Sequence, residues 1–144
     1  MSATADGAGH STGPGGRLGL RPGQVVQEVG YDDDCDDAFR DGILEITGEE
    51  FVDENADDVV DVVLLWWRED DGDLVDRLVD ALHPLADNGV IWLLTPKSGR
   101  EGHVPPSDIS EAAPTAGLSQ TSSISAARDW SGARLATPKA RSKR

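Results

Sequence analysis

Apolar side chains follow two rhythms along this chain, and the switches between them outline its elements. Val25, Val26 and Val29 follow the turn-forming Arg21-Pro22-Gly23, which predicts a short first strand over 24–29. Phe39, Ile43, Leu44 and Ile46 then recur at roughly helical spacing behind the acidic run 32–37, and Gly48 marks the stop. The acids thereby fall at a helix N-terminus, where the macrodipole favours negative charge. Phe51 and Val52 allow a brief strand, after which Val59, Val60, Val62, Val63, Leu64, Leu65 and Trp66 run without polar alternation, as in a strand buried on both faces. Over 73–85 the period is helical again. Leu74, Val75, Leu78, Val79, Leu82 and Leu85 share one stripe opposite Asp76, Arg77, Asp80 and His83, and Pro84 is expected to kink or shorten the last turn. The turn Asp87-Asn88-Gly89 leads into a second buried run, Val90-Ile91-Trp92-Leu93-Leu94, giving a βαβ unit with a right-handed crossover between parallel strands.

Residues 99–106 read as a loop, and Asp108 with Glu111 has the spacing of a capping box opening a short helix before Pro114 and Gly117. Segments 118–127 and 133–137 are candidate strands, joined as an antiparallel hairpin across Asp129-Trp130-Ser131-Gly132. In that reading Trp130 anchors the turn and Gly132 supplies a permissive backbone. The expected fold is a small three-layer α/β domain of Rossmann-like form over 18–137, with a mostly parallel sheet and the antiparallel hairpin at its C-terminal end. Residues 1–17, built of Gly, Ser, Thr and Ala with Pro14, are expected to form a disordered arm. Residues 138–144, with Lys139, Arg141, Lys143 and Arg144, read as a basic, mobile tail. No internal repeat is visible, and 144 residues suit one compact core.

Charge narrows the functions. A net charge of −14 disfavours the phosphate backbone of nucleic acid and anionic membrane surfaces, and steers basic proteins or cations toward the chain. No stretch has the apolar length of a membrane span or a signal-peptide core, and the lone Cys35 excludes an internal disulfide framework, which points to the cytoplasm. Residues 28–80 hold 21 carboxylates against Arg40, Arg68 and Arg77, a local balance of −18. That concentration admits a divalent-cation site, a docking face for a basic partner, or the plainer reading, solvated helix ends and loops, which is the usual origin of charge runs. An EF-hand is contradicted: Asp32, Asp34 and Asp36 are followed by Asp37 where glycine is needed and by Ile43 where a bidentate Glu belongs. Asp71-Gly72-Asp73 is more simply a helix cap.

Cys35 lies between Asp34 and Asp36, without the Lys, Arg or His that activates a thiol in the local sequence. His10, His83 and His103 lack the spacing of zinc ligands, and no Gly-x-Ser-x-Gly elbow, P-loop or Cys-x-x-Cys is present. No catalytic residue, metal site or cofactor is therefore assigned. Position supplies the remaining candidates, because open α/β sheets bind ligands outside the carboxyl ends of their strands. Those ends here are Tyr31 and Asp32, Asp53, Trp67 and Arg68, and Pro96 and Lys97. Tyr31, Asp32, Trp67, Arg68 and Lys97 are the candidate ligand or partner surface, Trp67 and Arg68 offering a flat face and a cation. The preferred plainer reading has Trp67 capping the core and Arg68 answering the surrounding acids.

Several segments also carry a family resemblance: Leu18-Gly19-Leu20-Arg21-Pro22-Gly23, Asp61 to Trp66, Gly89 through Lys97 with its Trp-x-x-x-Pro-Lys, Pro106-Ser107-Asp108-Ile109, and Asp129 through Leu135 with Trp-Ser-Gly. Together they resemble an actinobacterial family known as domain of unknown function 3052, over about residues 18 to 139, a resemblance that implies no activity. The order of elements is similar to the later half of a class I methyltransferase, where strand, helix, strand, helix and antiparallel hairpin close a Rossmann-like sheet. Such folds need a glycine-rich turn after the first strand; this chain has Val29-Gly30-Tyr31-Asp32-Asp33-Asp34. Those carboxylates would repel a pyrophosphate and argue against NAD, FAD and ATP, whereas electrostatics alone does not exclude S-adenosylmethionine. The function expected is a non-catalytic, acidic protein-binding or regulatory module; the alternative is a divergent methyltransferase-like small-molecule enzyme or binder. The polar hairpin strands offer an open edge but little hydrophobic burial, so oligomeric state is left open.

Overall fold

Two sets of large apolar side chains, one on each face of a central sheet, hold the molecule together. A computed structural model describes residues 18–137, so the expectations for the arm and the basic tail fall outside the described residues. Along the chain run β1 (Val26–Val29), α1 (Asp37–Thr47), β2 (Val60–Trp66), α2 (Leu74–Leu82), β3 (Leu85–Pro96), α3 (Pro106–Thr115), β4 (Ser119–Ser125) and β5 (Trp130–Ala136). The strands form one sheet in the order β1-β2-β3-β5-β4. β1, β2 and β3 are parallel, whereas β5 lies antiparallel to both β3 and β4. The α/β expectation is met, but the sheet is mixed, because the hairpin inserts its second strand beside β3 and contributes two full strands. Phe51-Val52 reduces to a single parallel bridge, Val52 to Gln27 on the outer edge of β1.

Alternation along β2 and β3 assigns the two cores. Val62, Leu64, Trp66, Trp92 and Leu94 face α1 through Phe39 and Ile43. Val63, Leu65, Ile91 and Leu93 face α2 and α3 through Leu78, Ala81, Ile109, Ala112 and Ala113. The helix ends are capped: the Phe39 amide donates to Asp36 at 2.8 Å, and Gly48, at φ 75°, closes α1 by donating its backbone amide hydrogen to the Leu44 carbonyl. Asp73 likewise accepts from the Asp76 amide.

Pro84 shortens α2 as expected, and three other local expectations are corrected. α2 ends at Leu82 rather than 85, because Pro84 cannot continue it; the Pro84 carbonyl instead accepts from the Val60 amide. Asp87-Asn88-Gly89 belongs to β3 and makes no turn. Leu85 pairs Val60 while Val90 pairs Val62, so β3 absorbs its extra residues as an irregularity. Gly89 is needed there, since a Cβ would meet the Asp61 carbonyl oxygen at 2.8 Å. α3 begins at Pro106, with Pro105 at the cap and no side-chain cap bond, which places Asp108 and Glu111 inside the helix; proline at the first position supplies the start. It also carries Pro114 in its last turn, where the missing amide forgoes one backbone hydrogen bond just before the helix stops. Finally, Trp130, Ser131 and Gly132 lie in β5, and the turn precedes them, closed by Ala126 and Ala127 amides on the Trp130 carbonyl.

α1 is tied to the sheet by an ion pair in the apolar interface. Arg40 grips both oxygens of Glu28 at 2.6 and 2.8 Å, and Trp66 Nε1 donates to the same carboxylate at 3.0 Å. The Glu28 side chain is only 8% exposed. Arg40→Met keeps the aliphatic stem but strands that charge, and should cost about 2–3 kcal/mol in urea unfolding. Adding Glu28→Gln should recover part of the loss; strictly additive single effects would show that the two groups are not coupled.

Candidate functional site at the strand ends

Arg68 stands two residues beyond the end of β2, and its guanidinium gathers the loop after β1. Nε and Nη2 grip the two Asp34 oxygens at 3.0 and 2.5 Å, a bidentate arrangement, while Nη1 donates to the Gly30 carbonyl at 2.9 Å. Asp71 accepts the Arg68 backbone amide at 2.9 Å and pairs with Nη1 at 3.4 Å. The guanidinium carbon lies 5.3 Å from the ring centre of Trp130, whose indole nitrogen donates to the Asp34 carbonyl. These contacts leave the Arg68 side chain 12% exposed.

The loop itself is pressed onto the neighbouring strand. Gly30 has φ 83°, and a Cβ there would collide with the Trp66 carbonyl oxygen. Its amide donates to Glu54 at 3.1 Å. The one glycine of this turn therefore serves a close approach of β1 to β2, where a nucleotide-binding turn would spend it on a ligand.

The five candidate side chains do not converge. Tyr31 is 46% exposed, with its hydroxyl on Asp37 at 3.1 Å and the Arg40 guanidinium 4.1 Å from its ring centre. The hydrogen bond to that carboxylate pushes the phenol pKa up. Asp32 is exposed and donates its amide to Cys35 Sγ at 3.3 Å. Trp67 is buried among the side chains of the opposite core, beneath α2 and α3. Lys97 donates to Ser125 Oγ at 2.6 Å, on the hairpin side. Arg68 crosses from its own strand exit to the loop after β1 to answer acids, as the plainer sequence reading has it.

Asp34, Gly30 and Trp130 were not among the candidates. Asp34 was visible only as one of a run of aspartates, and the Trp130 contact to it spans 96 residues, which no local pattern announces. A groove of about 480 Å³ between α2 and α3 touches one of the candidates, Trp67. A second, of about 310 Å³, sits against the outer edge of β1 and takes in Arg77 and His83. Among the described residues no cluster of three or more His, Cys, Asp or Glu side chains is arranged to hold a metal ion.

Asp34 and Cys35, both beside Arg68, carry shifted acidities. The Arg68 hydrogen bonds hold the Asp34 carboxyl below its ordinary 3.8. Burial pushes the Cys35 thiol up to about 11, against the opposing pull of the Asp32 amide and Arg68. A carboxyl with a lowered folded-state pKa adds stability that is complete above the unfolded value and is lost as pH falls through the folded one. Urea midpoints of the wild type should therefore fall more steeply below about pH 4 than those of Arg68→Gln; parallel acid limbs would refute the coupling. For Cys35, iodoacetamide labelling of the folded protein at pH 8 should run roughly 100-fold slower than in urea. Comparable rates in both states would mean that burial does not control the thiol.

Comparison with known proteins fits this geometry to a lineage and to a fold. An uncharacterized protein of Mycobacterium tuberculosis strain H37Rv is 52% identical over 139 residues, 96% of this chain and 87% of that protein. An uncharacterized Mycobacterium bovis protein matches over the same spans with the same identity. Among solved structures, a SAM-dependent methyltransferase from Aquifex aeolicus superposes with a TM-score of 0.55 at 10% identity, over 90% of this chain and 93% of its own. The pyocyanin biosynthetic protein PhzM gives 0.61 at 11% identity, over 85% of this chain and 52% of its own, so this chain spans about half of its length. At such identities the likeness is one of fold. The sequence profile of a family described as a protein of unknown function, DUF3052, matches residues 15–139. The chain therefore belongs to the DUF3052 family, on a sheet shared with methyltransferases.

Proposed function

We propose that this protein is a non-catalytic binding module, built on a methyltransferase-like sheet, that presents an acidic surface to a basic protein partner. The observation that carries the reading is the closed crevice. In a methyltransferase-like fold the turn after the first strand would lie open to S-adenosylmethionine. Here Gly30 is packed against the Trp66 carbonyl, and Arg68 fills the space between Asp34 and Asp71. The residues present do not fit that cofactor: the Arg68 guanidinium lies between the turn and its own strand exit, and the turn backbone is committed to a neighbouring strand.

Charge supports the partner class. Among the described residues Arg40 and Arg68 take up Glu28, Asp37, Asp34 and Asp71, which leaves most carboxylates of 28–80 outside any ion pair with a described base. Unpaired surface carboxylates raise the encounter rate with cationic surfaces and make association sensitive to salt. No helix among the described residues is long and apolar enough to cross a membrane.

The rival reading, a divergent methyltransferase, has the fold neighbours in its favour and makes the opposite prediction. Isothermal titration of the full chain with S-adenosylmethionine, and separately with its demethylated product, should give no saturable heat up to millimolar ligand. Saturable binding that is lost in Asp32→Ala would overturn the non-catalytic reading.

A further inference from the structure

The groove of about 480 Å³ between α2 and α3 differs from the strand-end clamp in being open and in being sorted by polarity. Its floor is apolar. Trp67, Val104 and Ala112 are 4%, 4% and 7% exposed, and the half-buried Leu74 and Val75 form one wall. Val79, one helical turn beyond Val75 and on the same face of α2, is 41% exposed, so the apolar strip runs out of the groove along the helix. An exposed valine adjoining a concave apolar floor is a continuous patch, unlike a single surface hydrophobe.

The rim has one sign. Glu69 and Asp73 stand on the α2 side, Asp108 and Glu111 on the first turns of α3, and all four are exposed. No Lys, Arg or His lines the groove. Among the described residues no ion pair reaches any of these four carboxylates. Arg68, adjacent to Glu69 in sequence, is held instead by Asp34 and Asp71. An apolar trough walled by like charges is a poor site for an anion and a good one for a segment with apolar anchors between cationic side chains.

We propose that this groove docks a basic peptide segment of a partner protein, its apolar side chains seated over Trp67, Val104 and Ala112 and its Lys or Arg side chains on the four rim carboxylates. The proposal rests on the reading of the chain as an acidic binding module and gives that reading a location and two requirements, positive charge and apolar anchors.

The test uses the full chain and a fluorescein-labelled synthetic peptide of Lys and Leu at helical spacing, followed by anisotropy. Two comparison peptides replace Leu by Ser or Lys by Glu. The Lys/Leu peptide should bind, weaken with added salt, and bind at least about tenfold tighter than the Lys/Ser peptide. The Glu/Leu peptide should not bind. Glu69→Gln/Asp108→Asn/Glu111→Gln should weaken binding about tenfold, whereas Asp41→Asn/Glu45→Gln/Glu50→Gln, equal in charge change but placed on and just beyond α1, should leave it within about twofold. Circular dichroism melts verify that both triple variants are folded. Equal losses in the two variants, or equal affinity for the Lys/Leu and Lys/Ser peptides, would overturn the groove while leaving a diffuse acidic surface. No binding of the Lys/Leu peptide at low salt would overturn the acidic-module reading along with it.

Discussion

A single guanidinium holds the carboxyl ends of this sheet. Arg68 joins the loop after β1 through Asp34 and Gly30, its own strand exit through Asp71, and the start of β5 through Trp130. Arginine suits this role because its planar fork meets a carboxylate with two parallel bonds, keeps its charge at any working pH and still stacks on an indole. The run of aspartates at 32–37 would otherwise repel itself at the mouth of the sheet. With Arg68 in place the loop is folded inward, its Gly30 carbonyl and Asp34 carboxylate held by the guanidinium.

The same economy explains how so acidic a segment folds. Much of its charge is spent on backbone amides that need an acceptor: Asp36 and Asp73 cap helices, Glu54 accepts from Gly30, and Asp61 accepts from Val25. Charge-assisted acceptors of this kind are stronger than neutral ones and sit where amides have no partner in the ladder. Glu28 is turned into the apolar layer, and it is there with Arg40 and the Trp66 indole around it. Beyond these uses a surplus remains on the surface, and its clearest shape is the rim of the groove between α2 and α3.

The aromatic residues link these regions. Trp66 stands edge-on to Phe39 of α1 and to Trp130 of β5, with ring centres 5.8 and 4.8 Å away. One face of β2 therefore connects the buried Glu28–Arg40 pair to the base of the Arg68 clamp, while the next residue, Trp67, turns to the opposite face and floors the groove. Adjacent tryptophans in a strand serve separate layers because successive side chains point to opposite faces.

Much of the architecture was legible from periodicity alone. The buried runs at β2 and β3, the helices on either side of β2, and the Gly48 stop all depend on interactions within a few residues, which a local pattern records directly. The elements that were misplaced depend on partners distant in the chain. Gly89 looks like a turn residue until the Asp61 carbonyl is seen against it, and Trp130 looks like a turn anchor until Pro96 is found paired with it. The sequence by itself determined which stretches are apolar, where helices stop, and that the loop after β1 carries charge instead of glycines. Only the tertiary structure decided that Arg68 closes on that loop, that Trp66 and Trp67 part company, and that four carboxylates, two from the approach to α2 and two from α3, border one apolar floor. Side-chain charge is a property of the residue, but its neutralisation depends on the distance between segments, and the folded chain alone sets that distance.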